Sequence, residues 1–151
     1  MAVDRDFSDA TAGLDRAAAD LAPGAQQHVR TISDQLDAIA RGDFASVFQD
    51  AHDDVALEIH APPEFPFIRI AQGADELNKA IVHNFGAIAD QRPHVHETFA
   101  EGDTVILFGT ETGKIKDSGF RYHVEFVERF TFREGRLASV RIIAAHAPVK
   151  L

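Results

Sequence analysis

The sequence predicts an α+β domain, with helices packed on one face of a curved, mainly antiparallel sheet that encloses a pocket. Three observations carry this. Helical periodicity fills the first half of the chain. After Pro93 the pattern changes to long strands parted by Gly-containing turns. One of those strands carries an acid in the middle of its apolar face. It reads V-E-F-V-E-R-F-T-F over residues 124–132, and Val124, Phe126, Glu128, Phe130 and Phe132 share one parity and therefore one face. Glu128 must be paired, hydrogen-bonded or neutralised there, because burying a bare carboxylate is costly.

At 151 residues the chain is long enough for one well-formed core. Lys and Arg number 15 against 24 Asp and Glu, a formal net charge of −9. Such a surface repels phosphate backbones and anionic lipid, which argues against nucleic acid and membrane as partners. The absence of cysteine excludes disulfides and thiolate chemistry. The first residues, M-A-V-D-R-D-F-S-D, contain no apolar run, so neither a secretory signal nor a spanning helix is expected and a cytoplasmic protein is the default.

Residues 1–25 read as an N-terminal helical extension and 26–151 as the main domain. Ser8 is placed to cap a short helix over 11–21, which Pro23-Gly24 breaks. Its thin apolar face suggests an appendage, or a clasp on a partner subunit. Three core helices follow. The first spans 26–41, with Val29, Ile32, Leu36 and Ile39 on one side. The second is short and capped by Asp43. The third runs over 74–90, with Asn84 centred in its apolar stripe. Between them lie a short strand over 55–60 and the segment A-P-P-E-F-P-F. Its three prolines make it a stiff loop over an opening rather than a central strand. Strands are expected over 94–100, 104–114, 120–133 and 137–145.

The order and spacing of these pieces resemble a known family. A helix ending in A-R-G-D-F, a short helix, D-D-V-A-L-E, a Pro-rich loop and a Gly before a helix make the first half. A strand meander ending in F-T-F-R-E-G-R-L-A-S-V-R makes the second. Over roughly residues 28–146 this is similar to the SnoaL-like branch of the NTF2-like superfamily, which includes ketosteroid isomerase. The resemblance implies a cone-shaped α+β fold, a pocket at the wide end and a homodimer formed through the sheet. It does not imply one chemistry. In ketosteroid isomerase an apolar site keeps a carboxylic acid neutral so that it donates to an oxyanion, and the E-R-F-T-F stretch aligns Glu128 with that acid. Alignment through Arg41-Gly42-Asp43 puts Gln35 at the oxyanion-binding tyrosine, and alignment through Asp53-Asp54 puts Ile59 at the general base. One role of the three is kept, which argues against steroid isomerisation.

Glu128 is the leading candidate, as a pocket acid of raised pKa. The plainer reading is an ion pair with Arg69 or another arginine. His60 stands at a strand end beside the stiff loop, where it is a candidate base, or a rim histidine facing water. Tyr122 shares parity with Glu128, and Tyr122 and Asn84 each have a hydrogen bond to aim into the cavity or to spend locally in the core. Glu111, Gln35 and Phe67 complete the substrate-binding candidates. His94-x-His96 has a spacing compatible with a metal but no third ligand, so no metal and no cofactor are expected. Phenylalanines near 62–67 favour an apolar ligand over a sugar or phosphate. Two functions fit this reading. One is an enzyme performing general acid–base proton transfer on a small hydrophobic carbonyl or ring compound, with His60 and Glu128 as base and acid. The other is a module that binds a small molecule or a protein without chemistry.

Overall fold

The computed structural model describes residues 5–148. Helix α1 (Ser8–Ala18) and helix α2 (Pro23–Ala40) lead through a 3₁₀ turn at Phe44–Ser46 into strand β1 (Ala56–His60). Strand β2 (Ile70–Gln72), helix α3 (Ala74–Gly86) and four long strands follow: β3 (Ile88–Glu101), β4 (Thr104–Ile115), β5 (Arg121–Arg133) and β6 (Arg136–His146). All six strands form one sheet in the order β2-β1-β6-β5-β4-β3. Its pairings are antiparallel except β1 with β6, which run parallel from Ala56 opposite Ser139 to His60 opposite Ile143. The α+β architecture, with helices on one face of a mostly antiparallel sheet, is the one the sequence predicts.

Local chemistry explains most boundaries. Pro23 opens α2 at a position where its missing N–H costs nothing. Asp75 and Glu76 lie in the first turn of α3, where the helix dipole favours them, and Glu76 Oε2 accepts the Gln72 N–H at 2.8 Å. Gly86 is the last residue of α3, so the helix is shorter than periodicity suggested. Ile88 belongs instead to β3, which begins well before residue 94. The three-residue β2 was not anticipated; it is too short to show a period.

Alternation along β5 turns Tyr122, Val124, Phe126, Phe130 and Phe132 inward, and all are buried. Among the described residues the core falls into three clusters. The largest packs Leu14, Val29, Ile32, Val55, Leu57 and Leu77 against Leu107, Phe130 and Val140. A second gathers Phe7, Ile39, Val47 and Ile81. A third joins Phe65, Ile88, Ile115, Tyr122 and Val124 at the far end of the sheet. His28 joins the core by stacking on Phe132, 4.0 Å between ring centroids, with Nε2 3.1 Å from Asp103 Oδ1.

Helix α1 is not an appendage. It packs on β3 and α2 of its own chain, burying Ala10, Leu14 and Ala18, with Phe7 just ahead of it also buried. The residues before it are tied to the sheet: the Asp6 N–H donates to the Gln91 carbonyl at 2.8 Å, and Arg5 bridges Gln91 in parallel sense. Ser8 does not cap the helix. Its N–H and hydroxyl both donate to Asp6 Oδ1.

Candidate functional site

A cavity of about 160 Å³ lies where the three clusters meet. Phe7, Phe65, Phe67, Phe85 and Phe126 supply its aromatic surface. Leu57, Ile59, Val95, Leu107 and Ile142 supply much of the aliphatic surface, and its polar lining is confined to Asn84, Gln91, Glu111 and Glu128. Among the described residues no Arg, Lys or His lines it. Two carboxyl groups therefore share an apolar chamber without a cationic partner.

The two acids are held differently. Glu111 lies mid-strand on β4. Its Oε2 accepts the Tyr122 hydroxyl at 2.7 Å, and its Oε1 accepts Gln91 Nε2 at 3.1 Å. Burial pushes the Glu111 carboxyl above its ordinary pKa, while these two hydrogen bonds favour its charged form and oppose that shift. Glu128, on β5, has no hydrogen bond or ion pair among the described residues. Burial, and then the charge of Glu111, push its pKa up to about 7. Tyr122 is raised as well, by burial and by the neighbouring Glu111, so its hydroxyl stays a donor throughout the accessible pH range.

Tyr122 reaches Glu111 because of glycine. The inner face of β4 carries Gly109, Glu111 and Gly113 in succession, and the register sets Phe126 opposite Gly109 and Tyr122 opposite Gly113. A Cβ on Gly113 would stand 2.6 Å from Tyr122 Cζ, and one on Gly109 would stand 2.9 Å from Phe126 Cε1. Both rings thus lie across bare backbone, on either side of the acid. The G-T-E-T-G string on a predicted strand was the sequence signal for this arrangement.

Gln91 was missed. A bulge in β3 puts one extra residue between the pairs Ala89–Lys114 and Arg92–Thr112, and Asp90 there takes φ 54°. The bulge turns Gln91 inward, where it is buried and donates to Glu111. From sequence, residue 90 reads as the end of a helix, and nothing marks residue 91 as a cavity residue.

Other candidates fall elsewhere. His60 lies outside the cavity. Leu57 and Ile59 hold the inner parity of β1, and His60 pairs with Glu58 at 3.1 Å on the opposite face, where Glu58 also meets Arg141 at 2.6 Å. Gln35 is one residue off the inward phase of α2. Leu36 lines the cavity, while Gln35 lines a separate polar cleft with Asp34, Arg41 and Asp50. Asn84 lines the cavity, but its amide is spent on the chain: Oδ1 accepts the Ile68 N–H at 2.8 Å and Nδ2 donates to the Ile68 carbonyl at 3.0 Å. Tyr122 lies behind the wall, bonded to Glu111, and Phe67 lines the chamber. Arg69 does not pair with Glu128; its guanidinium donates to the carbonyls of Ala61, Pro62 and Phe65 and pins the Pro-rich loop. His94 meets Asp9 and His96 meets Thr110. Among the described residues no group of three His, Asp or Glu could hold a metal, and no helix is long and apolar enough to cross a membrane.

Solved structures repeat the fold. An NTF2-like protein from Burkholderia xenovorans LB400 superposes with a TM-score of 0.66 at 22% identity, over 80% of this chain and 91% of that one. An LEH-like epoxide hydrolase from M. tuberculosis gives 0.63 at 19% identity, over 82% and 86%. TerC, crystallised with polyporic acid, gives 0.60 at 18%, over 80% and 92%. At these identities the likeness is one of fold. No curated protein matches the chain. The SnoaL-like domain model matches residues 32–140, most of the length, and the chain belongs to the SnoaL-like family.

Proposed function

We propose that this cavity is the active site of a cofactor-independent enzyme that moves a proton on a small, neutral, hydrophobic ring compound bearing a carbonyl. The observation that carries the reading is the unequal treatment of two acids in one apolar chamber. Glu111 receives two hydrogen bonds that favour its carboxylate, whereas Glu128 receives none and is pushed up to about 7. Environments that separate two titrating groups in this way divide the roles of base and acid between them. Glu111 takes the proton α to the carbonyl as that C–H bond breaks, and the protonated Glu128 donates to the oxygen where negative charge develops. Where a C=C lies next to that carbon, return of the Glu111 proton to the far alkene carbon, and of the oxygen-bound proton to Glu128, completes an isomerisation with atoms and charge balanced. In this scheme Glu111 takes the part that sequence reading gave to His60.

The test is exchange of α-protons of cyclohexanone-type ketones with deuterated solvent, followed by NMR. Wild type should accelerate it with a bell-shaped pH profile, and Glu111→Gln and Glu128→Gln should each abolish most of the acceleration. Wild-type rates equal to buffer across the panel would retire the catalytic reading.

A non-catalytic binding module is the second reading. It is favoured by Ile59 and Ala144, apolar residues that line the cavity and bring no group able to titrate. Under either reading the protein acts as a homodimer. Phe99, Phe108 and Ile143 stand exposed on the outer face of the sheet, and Val127 lies between Phe108 and Ile143 in the register. An apolar row of this kind, running across strands, suits a second copy of the chain.

A further inference from the structure

The wall of the cavity is not built from the family-matched residues alone. Most of its lining comes from residues 32–140, which the family model spans, with Ile142 and Ala144 just beyond, but Phe7 and Ala10 come from the N-terminal segment outside it. Phe7 is 3% exposed and Ala10 is 1% exposed, so both are fixed parts of the wall. Phe7 packs on Phe85, another cavity residue, with ring centroids 6.1 Å apart. The segment carrying them is fastened at several points. Asp6 pairs with Arg92 at 3.0 Å, Asp9 with His94 at 3.3 Å, and Asp15 accepts Ser33 Oγ at 3.1 Å. The Arg5 guanidinium lies 5.2 Å from the Phe44 ring centroid and 6.0 Å from that of Phe85. With this wall in place the chamber holds about 160 Å³, the scale at which an apolar cavity takes one benzene-sized ring.

We infer that Phe7 and Ala10 are specificity-determining residues, which close the chamber at single-ring size and set the largest ligand it admits. This rests on the reading that the cavity binds a ring compound, but not on the identity of the proton-transfer step. Packed walls do not deform to suit a ligand, so a second fused ring has to displace the Phe7 phenyl. Ala10 works in the opposite sense, because any larger side chain there takes volume from the ligand itself.

Phenol and 2-naphthol make the test, since they share one hydroxyl and differ by one fused ring. Binding is read from the NMR shifts of the methyls of Leu57, Val95 and Ile142 and from titration. Wild type should take phenol at least about tenfold more tightly than 2-naphthol, a discrimination of the size that pocket shape supplies. Phe7→Ala should raise the affinity for 2-naphthol until the preference is lost, and Phe7→Leu should move it part of the way if the alanine variant does not fold. Ala10→Val should weaken phenol by about tenfold. A folded Phe7 variant with the wild-type ratio, or Ala10→Val with wild-type phenol affinity, overturns the inference. Ring-size selection that follows these variants while deuterium exchange stays absent would remove the proton-transfer reading alone and leave the inference standing.

Discussion

The Tyr122 hydroxyl donates to Glu111 Oε2 at 2.7 Å, between paired strands, and its ring lies over Gly113 to do so. A tyrosine so placed keeps its proton and does not line the cavity. Its hydrogen bond favours the charged form of Glu111. Tyr122→Phe removes one of the two donors that favour the Glu111 carboxylate, so the Glu111 pKa should rise further. The acidic limb of the pH–rate profile should then move to higher pH, with a stability loss of about 1–3 kcal/mol. An unmoved acidic limb would separate Tyr122 from the base.

Gly113→Ala tests the same contact from the other strand. The added methyl meets the Tyr122 ring, 2.6 Å from Cζ, and the ring must leave its place over the backbone. Destabilisation by about 1–3 kcal/mol is expected from overpacking. The variant should share the altered pH profile of Tyr122→Phe, and combining the two should cost less than their sum.

Glu128 makes a prediction about stability that needs no substrate. Its folded pKa, about 7, lies above the ordinary carboxylate value of 4.5. The folded chain therefore holds a proton that the unfolded chain releases between these two values. Its contribution is complete below pH 4.5, falls as pH rises through 7, and then levels off. Relative to wild type, Glu128→Gln should gain about 3 kcal/mol of stability between pH 4.5 and pH 8. Parallel denaturation midpoints of the two proteins over that range would show that Glu128 is not held neutral.

His60→Ala should leave deuterium exchange and ligand affinity within about twofold of wild type, because the imidazole pairs with Glu58 on the face away from the cavity. A large loss would call for a base outside the cavity lining.

Phe108→Lys tests the outer face. Placing a charge in the row of Phe99, Phe108 and Ile143 should turn a dimer into a monomer in sedimentation, with the cavity intact. A wild-type monomer at micromolar concentration would remove the dimer proposal.

What the sequence disclosed follows the reach of each signal. Strand alternation has a period of two, so an assignment of the inner face is right for every residue of a long strand without a bulge, or for none. It was right along β5, which is why Glu128 and Tyr122 could be read as inward. Helix phase is less forgiving, since one residue turns the side chain by about 100°. Alignment through Arg41-Gly42-Asp43 therefore landed on Gln35, while Leu36 took the cavity. Gln91 depends on a bulge whose marker is a backbone angle at Asp90 rather than a residue type. Glu111 carries little mark of its own in the sequence, because its setting is supplied by other strands. Its donors stand on β3 and β5, and its neighbours in sequence are glycines and threonines.

The parallel pairing of β1 with β6 bears on the order of assembly. Strands β3 to β6 are joined by short turns and can zip up in sequence, but β1, which has β2 nearby, finds its other partner β6 only at the far end of the domain, across a segment that contains all the others. Closing such a loop carries the largest entropic cost in the sheet. The meander should therefore be in place before Leu57 and Ile59 arrive, and until then the chamber has no wall on that side. In pulse-labelling hydrogen exchange, β4 and β5 amides should gain protection first and β1 amides last. A late intermediate would hold both acids open to water, and they would lose it only when β1 docks.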